Sequence, residues 1–206
     1  MTTAHTIGHG ARSADEFLET LLGARIDVVL DVRRFPGSRR HPHFGRAEIE
    51  RRLAGVAVGY EWWGEELGGR RRASVESRHT ALRVAALRAF ADHMDSPEFA
   101  HALARVHERA ARERIALMCA ETLWWRCHRR MISDALALAG VEVVHLISPA
   151  QRQAHKLHDT VRLDGRGRPT YDAGAATLGA REPSTTQPGA SWDETAGSST
   201  SSMRRI

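Results

Sequence analysis

The chain has two thiols, Cys119 and Cys127, and each stands where a thiol can act. Cys119 closes Arg114 to Cys119 (RIALMC), an apolar run with the composition of a buried strand. Cys127 opens a helical segment beside Arg126, His128 and Arg129. A helix N-terminus and adjacent cations stabilise a thiolate and lower its pKa, as a nucleophile or a redox thiol requires. Around either sulfur, His128 or His9 would be the base and Glu121 an acid/base or orienting group. Arg33 and Arg129 would hold an anionic substrate. The expected catalytic set is therefore Cys119, Glu121, Cys127 and His128. The plainer alternative is a pair of inert core cysteines.

Cys119, Cys127, His128 and His9 are also soft donors of the kind zinc accepts. The spacing Cys-x7-Cys-His is not one of the close spacings that specify a zinc site, and neither a metal nor a cofactor is expected. A reversible disulfide between the two cysteines would make the chain a thiol redox sensor instead.

Arginines supply the second chemical signal. Residues 34–45 (RFPGSRRHPHFG), preceded by Arg33, carry Arg34, Arg39, Arg40, His41 and His43, and a second run covers Arg70 to Arg72. These loops can contact phosphates, and Phe35, Phe44, Trp62 and Trp63 are interleaved where they could stack on bases. His9, Asp31, Arg33, Arg39 and Arg129 form the expected substrate-binding set. A non-catalytic nucleic-acid-binding or regulatory module would use the same loops. The bland alternative is solvated arginine, aromatics packed back on the sheet, and an Asp31–Arg33 ion pair that fixes a loop. His79, His101, His107, His155 and His158 read as surface residues.

The elements that must position these groups can be read from periodicity. His5 to Gly8 reads as an opening strand, and Ser13 with Glu16 is a capping box ahead of the stripe Phe17, Leu18, Leu21, Leu22. Ile26 to Leu30 is a buried strand with Asp31-Val32-Arg33 at its end, and residues 34–45 are too punctuated for regular structure. Next come a helix from Arg46 to Leu53, a strand near Val56 to Tyr60, and helices over about 79–92 and 97–112, the last opened by Ser96-Pro97. After the Cys119 strand, a helix from Cys127 or His128 to Gly140 leads to the strand Val141 to Ile147. Val161 to Leu163 and Thr170-Tyr171 could pair as a hairpin.

This alternation predicts an α/β fold, a mainly parallel Rossmann-like sheet with helices on both faces. Ligands of such sheets bind beyond the carboxyl ends of the strands, where His9, Asp31, Arg33, Cys119 and Glu121 all fall. Residues 1–172 read as one domain and 173–206 as a disordered low-complexity tail.

At 206 residues the chain can bury a full core, and no apolar run approaches the roughly 20 residues of a membrane span. Reduced thiols, no export signal and no membrane association point to the cytoplasm. The formal charge is +5, and the tail balances Arg181, Arg204 and Arg205 against Glu182, Asp193 and Glu194. The excess therefore sits on the domain, which permits an anionic small molecule or nucleic acid as partner. Oligomeric state leaves no trace in the sequence.

Two resemblances bear on function. Asp-Val-Arg after an early strand and cysteine after a later one is similar to rhodanese-type sulfurtransferases and related phosphatases. The phosphatases' Cys-x5-Arg cradle is not present, since Trp125 stands six residues after Cys119 and Arg126 one later. The second is carried by an ordered series. It comprises Thr6-Ile7-Gly8-His9, Asp31-Val32-Arg33 with Pro36 and Ser38-Arg39, Leu67-Gly68-Gly69, Phe90-Ala91-Asp92-His93-Met94, Met118-Cys119-Ala120-Glu121 and Cys127-His128-Arg129. From about Thr6 to Leu146, and more loosely through His155 and Asp164-Gly165 to Tyr171, the chain resembles the domain of unknown function 488 family. The resemblance implies an α/β fold with both cysteines, Glu121 and His128-Arg129 as signature positions, and implies no activity. Gly10 stands where that family usually has serine or asparagine. Leu123-Trp124-Trp125 replaces polar residues between the cysteines, an apolar lip suited to a flat ligand or a protein partner.

Overall fold

The computed structural model describes residues 2–37, 40–72 and 74–172. The segment from 173, expected as a disordered tail, lies outside the described residues, as does Arg39.

Among the described residues, eight strands and six α-helices succeed one another as β1 (Thr3–Gly8), α1 (Ala14–Gly23), β2 (Val28–Asp31), α2 (Arg46–Ala54), β3 (Gly59–Trp62), α3 (Gly64–Leu67), α4 (Ala85–Met94), α5 (Pro97–Ala110), β4 (Ile115–Cys119), α6 (Arg129–Leu138), β5 (Glu142–Ser148), β6 (Gln151–Ala154), β7 (Val161–Leu163) and β8 (Pro169–Tyr171). Six strands form one sheet in the order β3-β2-β4-β1-β5-β6. The first five are mutually parallel, and β6 runs antiparallel on β5. The mainly parallel α/β sheet with helices on both faces is as expected. The edge strand β6 and the one-turn helix α3 are additions, too short and polar to show a period.

The local signals act as their chemistry dictates. Ser13 Oγ accepts from the Glu16 amide at 3.1 Å and starts α1. Ser96 accepts from the Phe99 amide at 3.2 Å, with Pro97 at the first position of α5. Gly140 takes φ +82° where the chain leaves α6. Alternation along the strands splits the core in two. Ile7, Val29, Ala116, Met118 and Leu146 meet α1 and α2 on one face. Ala4, Leu30, Leu117, Cys119 and Val143 meet α4, α5 and α6 on the other.

Several expectations are corrected. The 34–45 loop contains a short 3-10 helix, Pro42–Phe44, because Phe44 is drawn fully into the core beneath α1. Strand β3 begins at Gly59 rather than Val56, since a turn at Val56-Ala57 precedes it, with Ala57 at φ +57°. Helix α4 begins at Ala85 rather than 79, because His79 and Leu82 are buried in an irregular segment hydrogen-bonded to β8. His79 is thus not a surface residue, and neither is His155, whose side chain is 2% exposed.

Candidate functional site

Parallel strands β1, β2 and β4 end side by side, and the segments leaving their carboxyl ends converge. The His9 amide donates to the Cys119 carbonyl and the Val32 amide to the Met118 carbonyl, both at 3.0 Å, so the three strand exits are tied together. Between them lies a cavity of about 560 Å³. His9, Arg33, Cys119, Glu121, Cys127 and His128 line it. Asp31 and Arg129 lie behind its wall, fully or almost fully buried.

On the α1/α2 side, Asp31 and Arg33 form a buried ion pair. Asp31 Oδ1 accepts from Arg33 Nε at 2.8 Å, and Oδ2 accepts from the Tyr60 hydroxyl at 2.7 Å. Arg33 Nη1 also donates to the Phe44 carbonyl at 2.7 Å. His9 Nδ1 donates to the Gly10 carbonyl, since a carbonyl can only accept, and this leaves Nε2 to accept from Arg33 Nη1 at 3.3 Å. Burial, reinforced by the Arg33 charge, pushes His9 down to about 4. His9 is therefore neutral, stacked on Phe44 at 4.3 Å, and already committed as an acceptor.

On the α6 side the two sulfurs stand 3.3 Å apart. A 3-10 helix, Trp124–Arg126, folds the connecting loop so that Cys127 returns beside Cys119. The Glu121 amide donates to Cys119 Sγ at 3.3 Å and the Arg129 amide to Cys127 Sγ at 3.4 Å. The Cys127 sulfur thus accepts from the first residue of α6, whose capping residue, His128, makes no side-chain cap bond. The hydrogen bond from Cys119, then the charge of Arg129, hold the Cys127 thiol well below its ordinary value against the opposing effect of burial. Burial, and the proton shared with Cys127, push the Cys119 thiol up. The two shifts run in opposite directions, so of the two sulfurs Cys127 is the one whose surroundings favour the anionic form.

The buried cation explains why. Arg129 is 1% exposed, and among the described residues it forms no ion pair with a carboxylate. Its Nη2 donates to the Glu121 carbonyl at 2.7 Å and its Nη1 to Thr6 Oγ1 at 3.3 Å, both neutral acceptors. Arginine does not deprotonate in proteins, and an unpaired buried charge is costly, so its charge favours the anionic form of the adjacent sulfurs. Gly8 makes room for it. A Cβ there would stand 1.9 Å from the Glu121 carbonyl oxygen and 2.7 Å from Arg129 Nη2.

His128 Nε2 donates to the Val32 carbonyl at 3.1 Å, which leaves Nδ1 as a lone-pair acceptor at the cavity wall. Burial lowers its pKa, so the ring is available as a neutral base. The Gly69 backbone lies against it, and a Cβ there would approach Nδ1 to 3.0 Å. The Glu121 side chain is exposed at the rim. Arg70 and Arg126 are exposed there too, and Phe35 is 64% exposed beside them. Phe44 and Trp63, two of the four candidate stacking aromatics, are core residues instead, and Arg71 donates to the Gly68 carbonyl within its own loop. The apolar lip is also rearranged. Trp124 is buried, and only Leu123 and Trp125 face outward.

Among the described residues no group of three or more His, Cys, Asp or Glu side chains is disposed to hold a metal. A more open depression of about 820 Å³ lies at the opposite end of the sheet, lined by Arg25, Arg112 and Arg114. Those arginines come just after the C-termini of α1 and α5, where cations offset the helix dipole, and no thiol is near.

Fold and site together define an open α/β sheet protein with a paired-cysteine, buried-arginine centre at the carboxyl edge of its strands. The chain belongs to the family described as Domain of unknown function DUF488, which matches residues 13–136. No curated protein and no solved structure matches it. Among the described residues no helix is long and apolar enough to cross a membrane.

Reading the sequence alone misses Asp134 and His145, gives Thr6 no role and takes His155 for a surface residue, whereas all four lie behind Arg129. The available signal is polarity in apolar company: His145 inside VEVVHLI, and Asp134 on the apolar stripe of α6.

Proposed function

We propose that this chain is a cysteine-dependent transferase or hydrolase that acts on an anionic substrate, of nucleotide or nucleic-acid-derived type, with Cys127 as the nucleophile. The observation that carries this reading is the buried Arg129 guanidinium, which has no carboxylate partner among the described residues and lies beside the sulfur pair. In the proposed step a bond forms from Cys127 Sγ to the electrophilic atom, and the leaving group departs with its electron pair. His128 Nδ1 then takes the proton from the acceptor, water or a second substrate, that resolves the adduct. Cys119 donates to the anion, Glu121 orients the substrate at the rim, and Asp31 and His9 hold Arg33 in place. Arg70, Arg126 and the exposed ring of Phe35 support an anion carrying a flat group.

Alkylation tests this reading. Cys127 should react with iodoacetamide below pH 7 while Cys119 stays protected until unfolding, each read by peptide mass spectrometry. Arg126→Glu should slow anionic iodoacetate more than neutral iodoacetamide. If both thiols are inert in the folded chain, the nucleophile assignment fails.

The 3.3 Å separation of the sulfurs favours one further reading, a redox sensor. Peroxide would take two electrons from the pair, closing a disulfide and releasing two waters. Loss of two hydrogens by intact mass under mild peroxide, abolished by either Cys→Ser substitution, supports it. Over-oxidation of Cys127 without closure removes it.

A further inference from the structure

Behind Arg129, away from the cavity, a line of hydrogen bonds leaves α6, passes through β1 and β5, and returns to α6 at Asp134. Arg129 Nη1 donates to Thr6 Oγ1 at 3.3 Å. Thr6 Oγ1 meets His145 Nδ1 at 2.7 Å, across the β1–β5 pairing in which these two residues are register partners. His145 Nε2 meets His155 Nδ1 at 3.0 Å, and His155 Nε2 meets Asp134 Oδ1 at 3.0 Å. Thr6, His145 and Asp134 are each at most 1% exposed. Trp124, from the loop between the cysteines, stacks on His145 at 4.0 Å and covers the line.

The two ends dictate every proton between them. Arginine can only donate. Asp134 accepts from the His158 amide and the Tyr171 hydroxyl, each at 2.9 Å, and so acts as a carboxylate toward His155 as well. His155 Nε2 therefore carries a hydrogen, and with a neutral ring its Nδ1 accepts from His145 Nε2. His145 Nδ1 then accepts the Thr6 hydroxyl proton, which turns the Thr6 lone pairs toward Arg129. Burial, aided by His155 and Arg129, pushes His145 down to about 3, so the line holds this one direction at neutral pH. All its donors point from a buried cation to a buried anion, and its dipoles stabilise both.

We propose that Thr6, His145, His155 and Asp134 are positioning residues for the sulfur pair, holding the Arg129 guanidinium against Cys119 and Cys127 through one continuous hydrogen-bonded line. The guanidinium is gripped at both edges, by Thr6 on one and by the Glu121 and Thr122 carbonyls on the other. Loss of the Thr6 grip lets the cation swing from the sulfurs. The proposal rests on the thiolate reading of the site and extends it to residues that do not line the cavity.

The test is the pH profile of iodoacetamide alkylation at Cys127 in the full chain, compared among wild type, Thr6→Ser, Thr6→Val and His145→Phe. Thr6→Val keeps shape and removes the hydroxyl; it should move the profile to higher pH and slow alkylation at pH 7 by about tenfold. Thr6→Ser, which restores the hydroxyl, should track wild type, and His145→Phe should shift the same way as Thr6→Val. A purely structural role would lower thermal stability and leave the profile in place. If His145→Phe does not fold, the Thr6 pair decides alone. A normal thiol profile in the wild type overturns the site reading and the relay together. A depressed wild-type profile that Thr6→Val leaves unmoved overturns the relay only.

Discussion

Cys127 and Arg129 hold each other from two directions. The Arg129 amide donates to Cys127 Sγ at 3.4 Å, and the guanidinium of the same residue folds back beside that sulfur. Arg129 is the first residue of α6, so one residue presents both an amide and a cation to the sulfur that precedes the helix. The helix start, the acidity of the sulfur and the arginine's burial are therefore linked.

Replacing either partner should disturb both stability and reactivity. Arg129→Met leaves a thiol pair without its cation and unpairs the Thr6 and Glu121 acceptors. We expect a loss of about 3 kcal/mol in urea unfolding, together with a rise in the pH at which Cys127 alkylates. Unchanged alkylation would assign the anion to other causes. Cys119→Ala removes the S–H that supports the anion and should move the profile the same way at a smaller loss of stability.

Asp31 is the corresponding organiser of the opposite wall. Its carboxylate is fully buried and serves Arg33 and Tyr60. Asp31→Asn strands the Arg33 charge and should destabilise by about 3 kcal/mol, whereas Tyr60→Phe, which removes one hydrogen bond, should lose about 1 kcal/mol. Equal losses in urea unfolding would indicate that the Asp31–Arg33 pair is solvated.

Acid stability draws on the buried histidines, His9 and His145 among them. His9 is lowered to about 4 and His145 to about 3, each by burial first. A folded-state pKa below the unfolded value of 6.5 means that the unfolded chain binds more protons on acidification. Their contribution is fully present above about pH 6.5 and is lost as pH falls through the folded values, at most about 3 kcal/mol for His9. The urea midpoint should therefore fall between about pH 6.5 and 4, and His9→Gln should flatten part of that slope. A midpoint that rises over this interval would contradict the neutral assignment of both rings.

Much of the site is legible because parallel α/β sheets collect their loops at one edge. Once Ile7-Gly8, Val29-Leu30 and Leu117-Met118 are read as buried strands, His9, Arg33 and Cys119 must emerge together. The helix beginning after Cys127 returns His128 to the same edge. His155 reads as exposed because its segment is polar on both sides, and only the packing of β6 and Trp124 encloses it. Phe44 reads as a loop aromatic because a Pro/Gly-rich loop gives no period from which to infer burial.

The sequence by itself determined which residues could do chemistry and at which edge they gather, since strand periodicity and helix caps are local. Tertiary structure alone decided their division of labour. Asp31 and Arg129 carry charges of the expected site yet do not line the cavity: one holds Arg33, and the other lies beside the sulfurs and favours their anionic form. That choice depends on which side chain finds a partner across the sheet. Thr6 meets His145 only because β1 lies beside β5, and Cys119 meets Cys127 only because the loop between them folds back. Long-range pairing of this kind is set by the whole packed core, and no short stretch of sequence contains it.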